Sequence, residues 1–472
     1  MANKIGASEK DIINERVKKI AKIKELGFLP YPSKSKKSYS NRRIKNIKEE
    51  LLASQQEIFV AGRVSGLRGH GKLVFADISD QTGKIQAVFK ADITSPKEFK
   101  LVSLLDLGDF VEVSGRLFIT ESGELTVEAK KLQILAKALR PLPEKWYGLK
   151  DIETRYRERY LDLALNPAVM DNFYLRSKVI QTLRDFLLGN GFIEVDTPVL
   201  QPVAGGASAK PFSTHYNAYD RDVFLRIAPE LYLKRLLVGG FEKVFEFARC
   251  FRNEGVDALH NPEFTNLEFY WAYADYEKLM DFTEELVCFV VKAVNNGNLE
   301  LKIDDKEIDF SKKFRRITFD QLTKGKKSDE EFKKAVENLI EPTFVTNHPT
   351  SLIPLAKRNE KNPEVVDSFQ LVINGIELVK AFSELNDPID QRKRFEEQAK
   401  LRQKGDEEAQ PMDEDFLRAV EFGMPPAAGW GMGIDRFVRV LTSSKTLREV
   451  LLFPFMRPTD AGHQNNQETS NK

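Results

Sequence analysis

Hydrophobic and polar positions change their period along this chain, and the changes mark its parts. Between residues 8 and 27, Ile12, Ile13, Val17, Ile20, Ile23 and Leu26 recur at helical spacing and Gly27 ends the run, which predicts a basic amphipathic helix. Residues 30–45 are rich in Pro, Ser and Lys and predict an irregular connector. From Ile58 to about Leu135 the period falls to two. I-F-V-A-G-R-V, K-L-V-F-A-D-I, K-I-Q-A-V-F, F-V-E-V-S-G-R-L and L-T-V-E-A read as short strands, parted by turns such as Gln81–Gly83 and Ser122–Gly123. That pattern suits a small Greek-key barrel of the OB type, although any small barrel fits it. Pro141 and Pro143 then break both periods and predict a stiff linker over Arg140–Leu149. Beyond it long helices alternate with strands that pair locally. A helix is expected over 174–189, ending near Asn190-Gly191, with the strand F-I-E-V directly after it. No internal repeat is evident.

Charge adds an asymmetry. The whole chain is almost neutral, with 72 Lys/Arg and 71 Asp/Glu. Residues 1–50, however, hold 14 Lys/Arg against 6 Asp/Glu, a surplus of eight positive charges, and the remainder holds 58 against 65. A basic end on an acidic body suggests that a polyanion meets one end only; a solvated helix and linker would show the same balance. Only two cysteines occur, Cys250 and Cys288, so a zinc site and a disulfide framework are not expected, in keeping with a reducing, cytoplasmic setting. The first residues lack an apolar signal core, and no apolar run approaches the length of a membrane span.

Two hairpins carry the candidate chemistry. Glu246, Ala248, Cys250, Arg252 and Glu254 alternate onto one strand face, Gly255 to Pro262 form a loop, and Phe264, Asn266, Glu268 and Tyr270 alternate on the next strand. If these strands pair, Arg252, Glu268 and Tyr270 share a pocket and His260 and Asn261 cross it; an ordinary hairpin with surface ion pairs fits the same alternation. In Q-L-V-I-N-G-I-E-L, Asn374-Gly375 signals a type I′ turn that pairs Val372 with Glu377 and makes Gln370 its diagonal neighbour. Two oxygen ligands on one rigid face suit Mg²⁺. Lys380, Phe382 and Glu384 have the opposite parity, so a β-bulge near Val379 is needed to bring both sets to one pocket. Finally G-M-G-I-D-R, Gly431–Arg436, lets backbone approach a ligand closely while a guanidinium closes over it. Two convergent arginines, Arg252 and Arg436, suit the two ends of a triphosphate.

These residues carry a resemblance that spans nearly the whole chain. F-R-N-E-G and G-M-G-I-D-R, with P-V-A-G-G-A-S-A-K-P-F, L-R-I-A-P-E-L-Y-L-K-R, H-N-P-E-F-T, F-S-E-L-N-D-P and L-L-F-P, resemble the class II lysyl-tRNA synthetases of the bacterial type. The resemblance implies an α+β chain. It has a basic helix and connector at 1–57, an OB-type anticodon-binding domain at 58–137, a linker at 138–150, an antiparallel-sheet catalytic domain at 151–459 and a disordered tail at 460–472. The helix and strand of 174–200 would build a homodimer. The activity implied is ATP-dependent, Mg²⁺-assisted activation of L-lysine and its transfer to the 3′ end of tRNA(Lys).

Roles follow from the resemblance, residue by residue. Arg252 would hold the α-phosphate and the lysine carboxylate, and Arg436 the γ-phosphate end of a bent ATP. Phe264 would stack on adenine, Glu254 and Asn261 would contact it, and His260 would meet the phosphates. Glu377 and Gln370 would hold the metal. Gly206 leaves room for the amino-acid backbone, and Glu230 would take its α-amino group. Glu384, Glu268 and Tyr270 would bind the ε-ammonium. Lys380 has no counterpart in the resemblance; it either turns to the lysine carboxylate or to Glu377 and Glu384, or points into the pocket and repels the substrate ammonium, and the cost of like charges favours the first. In the barrel, Phe75 would stack an anticodon base, with Gln86 and Arg68 nearby.

Three departures stand out. The family usually has Glu at Gln370 and Asn at Lys380, and the insertion between Gln321 and Pro342 is short. The first two keep open a paralogue that binds RNA or lysine for regulation. A lysine ligase acting on a translation factor would lack the barrel, and an aspartyl- or asparaginyl-type enzyme would not place an acid at Glu384.

Overall fold

The computed structural model describes residues 8–143, 149 and 151–458, and the chain divides into two compact units at Lys150. The expected tail lies outside the described residues, as do residues 144–148 and 150 of the expected linker.

In the first unit a helix spans Glu9–Glu25. Ser8 and Asp11 cap its start reciprocally. Its inner face is the predicted one for Ile12, Ile13, Ile20, Ile23 and Leu26, with one exchange: Val17 is exposed, whereas Arg16 is buried and donates to the carbonyls of Ala138 and Arg140 at 2.9 and 3.0 Å. Periodicity counts Arg as polar, but its guanidinium satisfies carbonyls while its stem packs. The connector is irregular only as far as Ser40, after which short helices span Asn41–Asn46 and Lys48–Ser54. Strands β1 (Ile58–His70), β2 (Leu73–Asp80), β3 (Gly83–Lys90), β4 (Phe110–Ile119) and β5 (Leu125–Ala136) close a barrel in the order β1-β2-β3-β5-β4. β3 and β5 pair parallel. Alternate residues such as Ile78, Ile85, Ala87, Val113 and Val127 fill the interior.

The second unit is built on an eight-stranded sheet, in the order Arg315–Thr318, Thr343–Thr346, Ser368–Ile373, Ile376–Ser383, Ala427–Gly433, Glu263–Ala272, Lys243–Phe251, Ile193–Glu194. Pairing is antiparallel except at the two ends of this sheet. The helix expected from 174 begins earlier, at Ala168, directly after Pro167, and Val169, Met170 and Phe173 already fall at helical spacing. The strand expected at F-I-E-V is only Ile193–Glu194.

Period two decides what each sheet face does. Leu267, Phe269 and Trp430 point to a core shared with the helices Ala168–Gly189, Tyr276–Val294 and Ile434–Leu441. Trp430 stacks on Phe269 with ring centroids 4.7 Å apart, and its indole N–H donates to Thr283 Oγ1 at 2.9 Å. The opposite face, with Glu268 and Tyr270, is flanked by the helices Glu230–Val238, Pro388–Gln403 and Glu414–Glu421.

One buried ion pair fixes the glycine-rich strand's exit. Asp435 Oδ1 lies 2.6 Å from Arg176 Nη1, and Oδ2 accepts the Thr265 N–H at 3.0 Å. Asp435→Ala leaves Arg176 without its counter-charge, and the expected loss of stability is on the order of 3 kcal/mol, read as a lowered urea midpoint. An unchanged midpoint would show that this pair does not anchor the helix.

Candidate active site

The paired strands Lys243–Phe251 and Glu263–Ala272 set opposite one another Glu246 and Glu268, Ala248 and Asn266, and Cys250 and Phe264. The first strand ends at Phe251, so Arg252 and Glu254 stand in the loop and not on the strand as alternation suggested. Backbone pairing continues briefly, with the Arg252 N–H donating to Pro262 O at 2.8 Å and the Asn253 N–H to Lys210 O at 2.7 Å. The Arg252 guanidinium lies 5.0 Å from the Phe264 ring centroid, which leaves a cation and an aromatic face together at one wall. Glu254 lines an open cleft with Lys210, Asn253 and Glu407.

The same loop reaches the second arginine. His260 Nδ1 bonds the Asp257 carboxylate at 2.8 and 2.9 Å, and its Nε2 accepts from Arg436 Nη2 at 3.0 Å. Arg436 Nη1 also donates to Glu377 O at 3.4 Å. The half-buried Asn261 donates to Glu263 O. Thus His260, Arg436 and Glu377 meet, although they come from three segments.

Between these walls lies a buried acidic floor. Glu268 accepts from Asn266 Nδ2 at 2.8 Å and from the Tyr270 hydroxyl at 3.1 Å. Burial, helped by the charge of Glu230, pushes its carboxyl up to about 8, against the pull of those two hydrogen bonds. Burial also raises the Tyr270 hydroxyl well above its usual range. Glu230 and Glu384 are bridged by Lys234, whose Nζ lies 2.6 Å from Glu230 and 2.5 Å from Glu384. Burial alone would lower the Lys234 ammonium; the two carboxylates outweigh it and hold it above its usual value. Burial likewise raises Glu384, opposed by Lys234. Lys234 was missed from the sequence. Its spacing of four from Glu230 marks one helix face, but Glu384 is far along the chain.

Glycines make the floor reachable. On the Ala427–Gly433 strand, Gly429 faces Tyr270 and Gly431 faces Glu268. A Cβ at Gly429 would sit 2.1 Å from Glu384 Oε1 and 2.5 Å from Tyr270 Cε1. Gly206 has φ +88°, and a Cβ there would stand 2.9 Å from Glu230 Cβ.

The hairpin of Ser368–Ile373 and Ile376–Ser383 has the predicted bulge. Val372 pairs with Glu377 but Leu371 with Val379, so Leu378 is the extra residue. Leu378 and Val379 both enter the core, and Glu377, Lys380 and Phe382 then share the opposite face. The Gln370 amide oxygen lies 2.9 Å from His348 Nε2, so one of its lone pairs is engaged within the fold. Lys380 pairs with neither Glu377 nor Glu384, since Lys234 occupies the latter.

On the barrel, Phe75, Gln86 and Arg68 lie on the outer face around Asp77. Arg68 donates to both Asp77 oxygens at 3.0 and 3.1 Å and stands opposite Phe75, and Gln86 stands opposite Asp77. Phe75 is half-buried and outside the barrel core.

Comparison with known proteins matches this division. Residues 151–457 match the family described as tRNA synthetases class II (D, K and N), and residues 58–135 match the OB-fold nucleic acid binding domain. The lysine–tRNA ligase of Moorella thermoacetica is 46% identical, over 96% of this chain and 99% of its own length. That of Carboxydothermus hydrogenoformans is 46% identical over 95% and 99%, and that of Thermotoga maritima 44% over 95% and 96%.

Gly429→Ala is expected to displace the Glu384 carboxylate and the Tyr270 ring. Affinity for L-lysine, measured by calorimetry, should fall by about tenfold or more, the scale of a lost charge-assisted contact. Undiminished affinity would show that Glu384 takes no part in holding the ligand.

Proposed function

The chain belongs to the class II tRNA synthetases of the aspartate, lysine and asparagine group, and on that footing we infer that it activates L-lysine with ATP and transfers it to tRNA. The observation that carries the amino-acid choice is the charge of the floor. Three carboxyl groups, Glu230, Glu268 and Glu384, share one ammonium, Lys234, so the group has more acids than cations until a ligand supplies an ammonium. L-lysine brings two ammonium groups. Its α-amino group would meet Glu230, and its ε-ammonium Glu384, Glu268 and Tyr270. Neutral side chains leave buried acids unpaired, which costs far more than a lost contact.

In the reaction a lysine carboxylate oxygen attacks the α-phosphorus of ATP, and pyrophosphate leaves. A ribose hydroxyl at the tRNA 3′ end then attacks the acyl carbon of the adenylate, and AMP leaves. Both steps depend on positioning and charge stabilisation. Arg252 would bridge the carboxylate and the α-phosphate, with Phe264 beneath the adenine and Glu254 and Asn261 at its edge. His260 would orient Arg436 on the far phosphates. Magnesium would arrive with the ATP phosphates and meet Glu377, while the Gln370 amide oxygen is engaged by His348. The barrel would bind the tRNA(Lys) anticodon through Phe75, Gln86 and Arg68.

Two further readings rest on the surface. The edge strand Ile193–Glu194 and its neighbours expose Ile193, Val199 and Leu200, as the adjacent helix exposes Tyr174 and Leu188. A second copy of the chain would cover them, giving a homodimer. Among the described residues no helix is long and apolar enough to cross a membrane, and both cysteines are free, which supports a reducing cytoplasm.

Lysine-dependent pyrophosphate–ATP exchange across the twenty amino acids is the direct test. Exchange should be strongest with L-lysine, and Arg252→Ala should abolish it, a loss on the order of 3 kcal/mol in transition-state stabilisation. Equal exchange with another amino acid, or full activity in the variant, would overturn the reading.

Acidity gives a second test. A carboxyl raised to about 8 is protonated in the empty site at neutral pH and must ionise to receive an ammonium. The KM for lysine should therefore fall as pH rises from 7 toward about 8, with proton release on binding seen as buffer-dependent heat. Glu268→Gln should weaken that dependence and leave the part that belongs to Glu384, whose carboxyl burial also raises to about 8; a profile identical in the variant and the unaltered protein would remove Glu268 from the ligand's shell.

A further inference from the structure

Gln370 and Lys380 face each other across the hairpin, as direct register partners. On its other side Lys380 faces Gly431, which has no side chain, and beyond it Glu268. Gln370 is buried on the same sheet face as Lys380, with Oε1 on His348 Nε2, while His348 Nδ1 lies 3.0 Å from Ser368 Oγ. Burial and the nearby Lys380 charge hold His348 down at about 3, so the imidazole is neutral throughout the working range. Lys380 is half-buried on the floor of the pocket, and its ammonium makes no ion pair among the described residues. Glu377 is brought to the same face by the bulge, and its backbone carbonyl receives Arg436. The place between Gln370 and Glu377 therefore offers one carboxylate, an amide whose oxygen is already engaged, and a fixed positive charge. A divalent cation there would be disfavoured by the fixed charge, whereas an anion would find an unpaired ammonium on the face to which Glu377 also belongs.

We propose that Lys380 is a phosphate-binding residue that takes the place of a metal ion between Gln370 and Glu377, so that ATP is held with one divalent ion fewer than a two-carboxylate pair would recruit. The proposal rests on the reading of this pocket as an ATP site. Lys380, Arg252 and Arg436 then supply three protein cations to the triphosphate. Gln370 keeps the arrangement neutral: a carboxylate in its place would draw the Lys380 ammonium into an ion pair and away from the nucleotide.

The experiment counts ions and not turnovers. Mn²⁺ binding is measured by electron paramagnetic resonance in the full-length protein with the non-cleavable α,β-methylene analogue of ATP. Affinity for that analogue is measured with and without metal by calorimetry. The double variant Gln370→Glu with Lys380→Asn should bind about one more Mn²⁺ per site than the unaltered protein. Lys380→Asn alone should lose about tenfold or more in metal-free nucleotide affinity, and Lys380→Arg, which keeps the charge, should retain it. An unchanged ion count in the double variant, or unchanged metal-free affinity in Lys380→Asn, would overturn the proposal and leave the ATP site standing. Failure of the unaltered protein to bind the analogue even with metal would overturn both. Should Lys380→Asn not fold, Lys380→Gln carries the same comparison.

Discussion

Burying charge at the bottom of a sheet is the constraint on which the rest of this structure depends. Glu230, Glu268, Glu384 and Lys234 are all buried on one sheet face, where an isolated carboxylate costs several kcal/mol. They are tolerable because Lys234 bridges two of them, Tyr270 and Asn266 donate to the third, and burial raises the carboxyl of Glu268 so that it need not carry a charge. The ammonium of Lys234 lies within 5.7 Å of the Phe382 ring and 5.9 Å of Phe416, so the site and the apolar cluster beside it are built together.

Backbone, more than side chains, gives ligands access to that floor. The central strand alternates Gly429, Gly431 and Gly433 toward the site with Ala428, Trp430 and Met432 toward the core. One segment thus leaves a cleft on one face and packs a stacked indole on the other. The bulge at Leu378 does comparable work on the neighbouring strand. It sends two successive apolar residues into the core and so changes the parity of the polar ones, placing Glu377 with Lys380 and Phe382. A regular strand would have split those groups between core and pocket.

The end of the site that holds His260 and Arg436 is organised by chains of charged contacts. Asp257 orients His260, His260 accepts from Arg436, and Asp435 next to Arg436 is tied to Arg176 and Thr265. Neighbouring residues of one helix thus hold a ligand-facing guanidinium and a structural anchor. In the barrel the analogous device is the two-pronged Arg68–Asp77 pair beside Phe75 on the outer face. It holds a cation next to an aromatic surface, the combination that single-stranded nucleic acid prefers.

Local period and turn chemistry were enough to find the barrel strands, the Asn374-Gly375 turn, the paired strands around the 252–262 loop and even the need for a bulge near Val379. Each depends on neighbours within a few residues. The motif residues were legible for the same reason, since Arg252, His260 and Arg436 sit in short strings of distinctive composition. What sequence could not supply were contacts between distant segments. Arg16 packs inward because its donors reach carbonyls more than 120 residues away. Lys234 and not Lys380 neutralises Glu384, because a helix meets a strand that begins far beyond it. The Gln370 amide oxygen is engaged by His348, which lies on a different segment. In each case the chain determined which polar groups exist and on which face they lie. Only the tertiary structure decided which of them satisfy one another and which stay available to a ligand, because a buried polar group takes its partner from whatever the fold brings within about 3 Å.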